Sequence, residues 1–190
     1  MVGVDEVGRG CLAGPLLVVA ARANAEIPDG VSDSKLLSRK QRQEILNMLS
    51  NICDFGEGWV SPAEINTRGL SGAMRLGIKR AIKQLAVTCD EEIIMDGPVN
   101  YFSRRFRHVS CLIDADATVP LVSAASIHAK VSRDRYMINL AKKHPKYGFE
   151  KHVGYSTAEH KKALHQYGYL KTVHRRFFAP VRALDKVELW

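Results

Sequence analysis

An α/β fold, with a mixed β-sheet flanked by helices and a helical C-terminal region, follows from three observations. Short apolar runs of strand length alternate with amphipathic helical periods over the first two thirds of the chain. A long helical pattern then runs from about Pro120 to Lys143. Glycine, proline and acidic residues punctuate the boundaries between these segments.

The opening run Val2-Gly3-Val4-Asp5-Glu6 reads as a strand, and Pro15 to Arg22 as a second. Gly8, Gly10, Ala13 and Gly14 lie between them, so a hairpin is expected. Ser38 is a plausible N-cap for a helix to about Ser50, with Ile45, Leu46 and Leu49 at helical spacing. A strand is expected around Phe55 to Val60. An amphipathic helix is then predicted from about Ser71 to Val87, burying Met74, Ile78, Ile82 and Leu85 while Arg75, Lys79, Arg80 and Lys83 stay wet. Ile93-Ile94-Met95 forms a buried strand ending at Asp96-Gly97-Pro98, and Val109 to Ile113 another ending near Asp114 to Asp116. After the Pro120 helix, Pro145, Gly148 and Gly154 mark a loop, and Thr157 or Ser156 begins a helix that Gly168 ends. With 190 residues and no repeat, low-complexity segment or long linker, a single domain over 1–190 is the economical expectation.

A hydrophobic share of 46% suits a globular protein. The longest apolar run, Leu16 to Ala21, is far short of the roughly 20 residues of a membrane span, and the N-terminus lacks signal-peptide regions, so no membrane association and a cytoplasmic location are expected. Cys11, Cys53, Cys89 and Cys111 are widely spaced, which indicates neither a zinc knuckle nor a disulfide framework. The formal charge of +8 is unevenly spread: residues 130–190 hold 14 Lys/Arg against 5 Asp/Glu, and residues 1–129 hold 14 against 15. A basic C-terminal third is the footprint of a polyanion partner, although a merely solvated basic face would look the same. No partner-binding tail is apparent before Trp190, so a monomer is the default expectation.

Three predicted strands end in acids: Asp5-Glu6, Asp96, and Asp114 or Asp116. Ligands collect at strand ends in α/β sheets, so acids distant in sequence can converge there. Any one of them alone is better explained as a turn or helix cap, and it is their joint arrival at strand ends that weakens that explanation. Successive residues of a regular strand face opposite ways, so Asp5 and Glu6 are expected to share a site only where the strand loses regularity. A carboxylate cluster repels itself unless hard cations neutralise it, and oxygen ligands without Cys or His favour Mg²⁺ or Mn²⁺. Two such ions ~4 Å apart can activate a water and clamp a scissile phosphate. Arg9 between Gly8 and Gly10 offers a guanidinium for phosphate beside backbone free to approach a ligand. Asp33-Ser34-Lys35 could touch phosphate from a loop.

Together these segments resemble the ribonuclease HII, or type 2 ribonuclease H, family. The resemblance rests on Gly3-Val4-Asp5-Glu6-Val7-Gly8-Arg9-Gly10, Asp33-Ser34-Lys35, Asp96-Gly97, Val119-Pro120 and Ser123 through Lys130 with Arg133-Asp134. It continues through Pro145 to Phe149, His152, Gly154-Tyr155, His160, Tyr167-Gly168 and His174-Arg175-Arg176, nearly end to end. It implies a ribonuclease-H-like fold and two-metal-ion hydrolysis of the RNA strand of RNA/DNA hybrids. It also implies cutting 5′ to single ribonucleotides in duplex DNA, leaving 3′-hydroxyl and 5′-phosphate ends, as ribonucleotide removal in replication and repair requires.

The family's four metal-binding acids fall on Asp5, Glu6, Asp96 and Asp116, the last because Ala117-Thr118 separate it from Val119-Pro120. Asp114 stands where relatives often carry lysine. Gly8, Arg9 and Gly10 correspond to the turn that reads the 2′-hydroxyl and phosphate, and Tyr155 to the ring that packs on the next, deoxy sugar. Ser34, Lys35 and Lys130 correspond to phosphate contacts. His152, His160 and His174 are candidate proton carriers, or simply structural histidines.

Overall fold

The computed structural model describes residues 1–28, 31 and 37–184, and the backbone of 185 and 186. The proposed phosphate contacts Ser34 and Lys35 lie outside the described residues. The strands are β1 (Val2–Val7), β2 (Leu16–Ala23), β3 (Cys53–Val60), β4 (Ile93–Asp96) and β5 (Val109–Leu112). The helices are α1 (Arg39–Leu49), α2 (Pro62–Gln84), α3 (Ala115–Thr118), α4 (Pro120–Lys143), α5 (Phe149–His152), α6 (Ala158–Tyr167) and α7 (Ala179–Arg182).

The strands form one sheet in the order β3-β2-β1-β4-β5. β1 and β2 make the expected hairpin, β3 adds antiparallel to β2, and β4 and β5 run parallel to β1, so the sheet is mixed. Strand alternation divides the core between two faces. Val2, Val4, Leu16, Val18 and Ala20 pack with Met74, Ile78 and Ile82 of α2. Leu17, Val19 and Ala21 pack on the other face with Leu121, Ala125 and Ala129 of α4. α4 comes unusually close to β1: a Cβ on Gly3 would sit 2.5 Å from the Leu121 backbone carbon.

Ser38 caps α1 through a capping box with Gln41, and Thr157 caps α6 by accepting a hydrogen bond from His160 N–H. The expected start of α2 at Ser71 is corrected to Pro62. Ser61 and Glu64 form a second capping box, and the helix is kinked at Gly69, whose backbone lies at φ 66°, ψ 175°. That interruption hides the first two turns from a search for continuous periodicity. Beyond α4, the chain packs a separate cluster around Tyr147, Phe149 and Met137. Among the described residues no helix is long and apolar enough to cross a membrane. Cys11 and Cys53 are buried, and all four cysteines are free thiols.

Candidate active site

β1 outruns its parallel partner. Its pairing with β4 stops at Val4↔Met95, while its ladder with β2 continues through Val7↔Leu17. At that exposed step lies a cleft of about 410 Å³ lined by Asp5, Glu6, Asp96 and Asp116 with residues 7–10, Arg42, Ser126, Lys130 and Tyr155. The expectation that Asp5 and Glu6 need an irregular strand is therefore corrected. Both sit in a regular ladder with β2, and both reach the cleft because it opens beyond the end of β4.

Each acid has its own support. Asp5 is 7% exposed, faces α4, and bonds through Oδ1 to Glu6 N–H at 2.7 Å and to the Ser126 side chain. The close approach at Gly3 makes this contact possible: Val122, beside Gly3, and Ser126 are four residues apart on α4, while Gly3 and Asp5 are two apart on β1, so both rise by roughly 6 Å. Asp96 ends β4 and accepts the Ala115 N–H at 2.8 Å, which ties the start of α3 to the strand. Asp114 takes a left-handed conformation before α3 and is exposed, whereas Asp116, one residue into the helix, is 5% exposed and lines the cleft. The geometry thus separates two acids that the sequence alone left as alternatives.

The acids are under-neutralised. Burial, reinforced by the neighbouring Glu6 charge, pushes the Asp5 carboxyl up to about 8. Glu6 is also raised, by burial first and by Asp96, against the opposing pull of Arg9. Its Oε2 is buried with no hydrogen-bond partner among the described residues. Oxygen-only donors of this kind fit a hard divalent cation. No three Asp, Glu, His or Cys groups among the described residues close on one point as a finished cation cage. The acids line the cleft without closing such a cage.

The opposite wall is built differently. Gly8 has φ +86°, and a Cβ there would meet Arg133 Nε at 2.3 Å, so only glycine fits. Arg133 and Arg175 are fully buried beneath this turn. Arg133 donates to the carbonyls of Pro15, Val153 and Ala13 at 2.8, 2.9 and 3.1 Å. Arg175 donates to those of Gly14, Gly8 and Arg9 at 2.8, 2.6 and 3.3 Å. These two cations from the basic third are therefore internal struts and no part of an exposed basic face. Arg9 reaches Glu6 Oε1 at 3.4 Å and donates to the Tyr101 hydroxyl at 3.0 Å. Lys130 pairs with Asp134 at 2.7 Å and lies 6.0 Å from the Tyr155 ring centroid.

The histidines brace Tyr155. Leu170 N–H donates to His174 Nδ1, which leaves His174 Nε2 to donate to His160 Nε2 at 3.1 Å. His160 Nδ1 then donates to the Tyr155 carbonyl at 2.9 Å, and all rings in this relay are neutral. Burial holds His160 down at about 4 and His174 at about 3. His152 stacks on His160 at 4.4 Å and accepts the Gly154 N–H. None of the three lines the cleft, and each is engaged in hydrogen bonds away from the acids.

Sequence reasoning missed Ser126, Tyr101 and Arg42 near the acids and the two arginine struts. For Arg133 a signal existed: Ala129, Arg133 and Met137 share one helical stripe at four-residue spacing, with both neighbours apolar and buried.

The comparisons agree with this architecture. The ribonuclease HII family model matches residues 2–181. Ribonuclease HII of Burkholderia ambifaria is 43% identical over 186 residues, covering 96% of this chain and 84% of that protein. Ribonuclease HII from Archaeoglobus fulgidus, solved as a complex with PCNA, is 29% identical with a TM-score of 0.80, covering 99% of this chain and 98% of that one. Ribonuclease H2 from Pyrococcus horikoshii is also 29% identical, with a TM-score of 0.78 over 97% of this chain and 96% of that one. With the mixed sheet, the flanking helices and a match that runs nearly end to end, the chain belongs to the ribonuclease HII family, a family of endonucleases.

Proposed function

We propose that this protein hydrolyses the RNA strand of RNA/DNA hybrids and cuts duplex DNA on the 5′ side of a single embedded ribonucleotide. The observation that carries this reading is the meeting, in one cleft, of Asp5, Glu6, Asp96 and Asp116 with the Gly8-Arg9-Gly10 turn and Tyr155.

The carboxylates of Asp5, Glu6, Asp96 and Asp116 would hold a pair of divalent cations, Mg²⁺ or Mn²⁺. Bound there, such ions supply the positive charge that activates water and stabilises charge growing on the phosphate. A cation held there would favour the ionised form of Asp5, so its occupancy would depend on pH. Ser126 and the Glu6 N–H hold the Asp5 carboxyl in place, and the Ala115 N–H does the same for Asp96.

Water adds to phosphorus as the bond from phosphorus to the 3′-oxygen of the preceding nucleotide breaks. The water's proton leaves to solvent and the departing oxygen takes one up, giving 3′-hydroxyl and 5′-phosphate ends. Selection of the phosphate falls to the turn. The 2′-hydroxyl is the group that marks a ribose, and backbone groups at Gly8 and Gly10 with the Arg9 guanidinium suit a hydroxyl beside a phosphate. The Tyr155 ring, 39% exposed, offers a flat platform for the following deoxy sugar. Lys130 supplies charge for the backbone at the same wall.

Incubation with duplex DNA carrying one ribonucleotide tests the reading. One cut 5′ to the ribonucleotide in Mg²⁺ or Mn²⁺, and none in EDTA, is the expected result. Binding of the duplex without metal-dependent cutting would overturn it.

A further inference from the structure

A second groove, of about 540 Å³, runs between α2 and the segment joining β4 to β5. Its rim carries Arg75, Lys79, Arg104 and Arg105, all exposed, and no Asp or Glu lines it. Arg75 and Lys79 sit one helical turn apart on the same face of α2. The floor is already covered: Ile78, Ile82, Phe106 and Tyr101 are 1, 5, 6 and 7% exposed. A peptide that docks through apolar side chains would therefore find little surface to bury.

Phe102 is the exception. It is half-buried, and its ring meets Phe106 edge-on at 5.7 Å and 71°, which fixes its orientation. Arg105 lies over the Phe106 ring at 5.1 Å. A line of cations around one oriented aromatic ring is the arrangement that binds single-stranded nucleic acid, with phosphates on the cations and a base stacked on the ring. The groove also adjoins the cleft, because Tyr101 lines the groove while its hydroxyl holds Arg9 of the cleft wall.

We propose that this groove binds an unpaired strand continuing from the substrate, with its phosphates on Arg75, Lys79, Arg104 and Arg105 and a base stacked on Phe102. The proposal rests on the nucleic-acid substrate assigned above. It adds a strand-binding track outside the duplex-cutting cleft. The near-neutral charge count of residues 1–129 conceals this track, because their acids lie elsewhere.

The test is fluorescence anisotropy with a labelled oligothymidine in EDTA, using wild type, R75E/K79E, R104E/R105E and Phe102→Ala. A reversal of equal size at the exposed end of α4, K142E/K143E, is the control. Each groove variant is expected to weaken binding about tenfold, against about twofold for the control, and each lost phosphate contact to flatten the salt slope by about 0.7. In cleavage, a duplex with an unpaired tail is expected to be cut with higher kcat/KM than a blunt one. The groove variants lose that gain and cut the blunt duplex at the wild-type rate.

Equal losses in groove and control variants would overturn the proposal. So would wild-type affinity in Phe102→Ala combined with equally tight binding of polyglutamate, which would make the groove a general acidic-peptide surface. Because the anisotropy arm needs no hydrolysis, groove binding that survives in a protein unable to cut would refute only the nuclease reading.

Discussion

The two walls of the cleft are built on opposite principles. On the acid wall, Asp5 is buried with its carboxyl pushed up to about 8 and Glu6 Oε2 is buried without a hydrogen bond. Such groups cost stability until a cation arrives. On the turn wall, six hydrogen bonds from Arg133 and Arg175 reach backbone carbonyls around Gly8, Arg9, Gly14 and Val153. That wall is braced before any ligand binds, with Arg175 Nη2 its one guanidinium nitrogen buried without a partner among the described residues. The contrast teaches where the protein is adaptable: the acid wall is left short of neutralisation, while the turn wall, to which the proposed reading gives ribose recognition, is braced in advance, as discrimination by a single hydroxyl would require.

The largest way to break this comparison is on the acid wall. Asp96→Asn is expected to lower the cleavage rate on the order of a thousandfold while hybrid affinity changes little, since affinity rests on exposed cations. Single-turnover kinetics beside a binding titration checks both halves of that statement, and near-wild-type cleavage would remove Asp96 from the reaction.

On the turn wall the effect moves from rate to stability. Arg175→Met strands the carbonyls of Gly8 and Gly14 and is expected to cost about 3 kcal/mol in urea unfolding. Arg175→Lys fails to rescue it, because one ammonium cannot span both carbonyls. A loss below about 1 kcal/mol would show that the struts are dispensable.

Tyr101→Phe, which removes only the acceptor for Arg9 Nη2, sharpens the comparison at its smallest scale. A three- to tenfold fall in kcat/KM, with unfolding unchanged, is expected from one hydrogen bond worth about 1 kcal/mol.

Much of this arrangement was legible in the residues. Asp96 ends its strand as read, Ser38 and Thr157 cap their helices, and the long helix begins at Pro120. What escaped was set by tertiary contact. Gly69 takes a conformation that breaks helical phase, so the first turns of α2 were invisible to periodicity. Arg133 and Arg175 counted as surface charge in a composition tally, yet both are fully buried, where carbonyls of residues 8–15 and of Val153 accept their hydrogen bonds. Asp114 and Asp116 differ only in backbone conformation, left-handed and exposed against helical and buried, which residue type does not encode. Tyr101 carried no local signal, since its importance comes from a partner 92 residues away.

The acid wall's stored cost is the part of the account most directly open to measurement. Asp5 has a folded value of about 8 against an ordinary 3.8, so the folded metal-free protein keeps a proton that the unfolded chain releases between those values. Its stability should therefore fall as pH rises from about 4 to about 8, and Asp5→Asn, which cannot ionise, should escape that fall. Urea unfolding of wild type and Asp5→Asn in EDTA, at pH 5 and pH 8, decides the matter. The account predicts a stability advantage of the variant that grows with pH and is larger at pH 8 than at pH 5 by on the order of 3 kcal/mol. An advantage no larger at pH 8 than at pH 5 would contradict it.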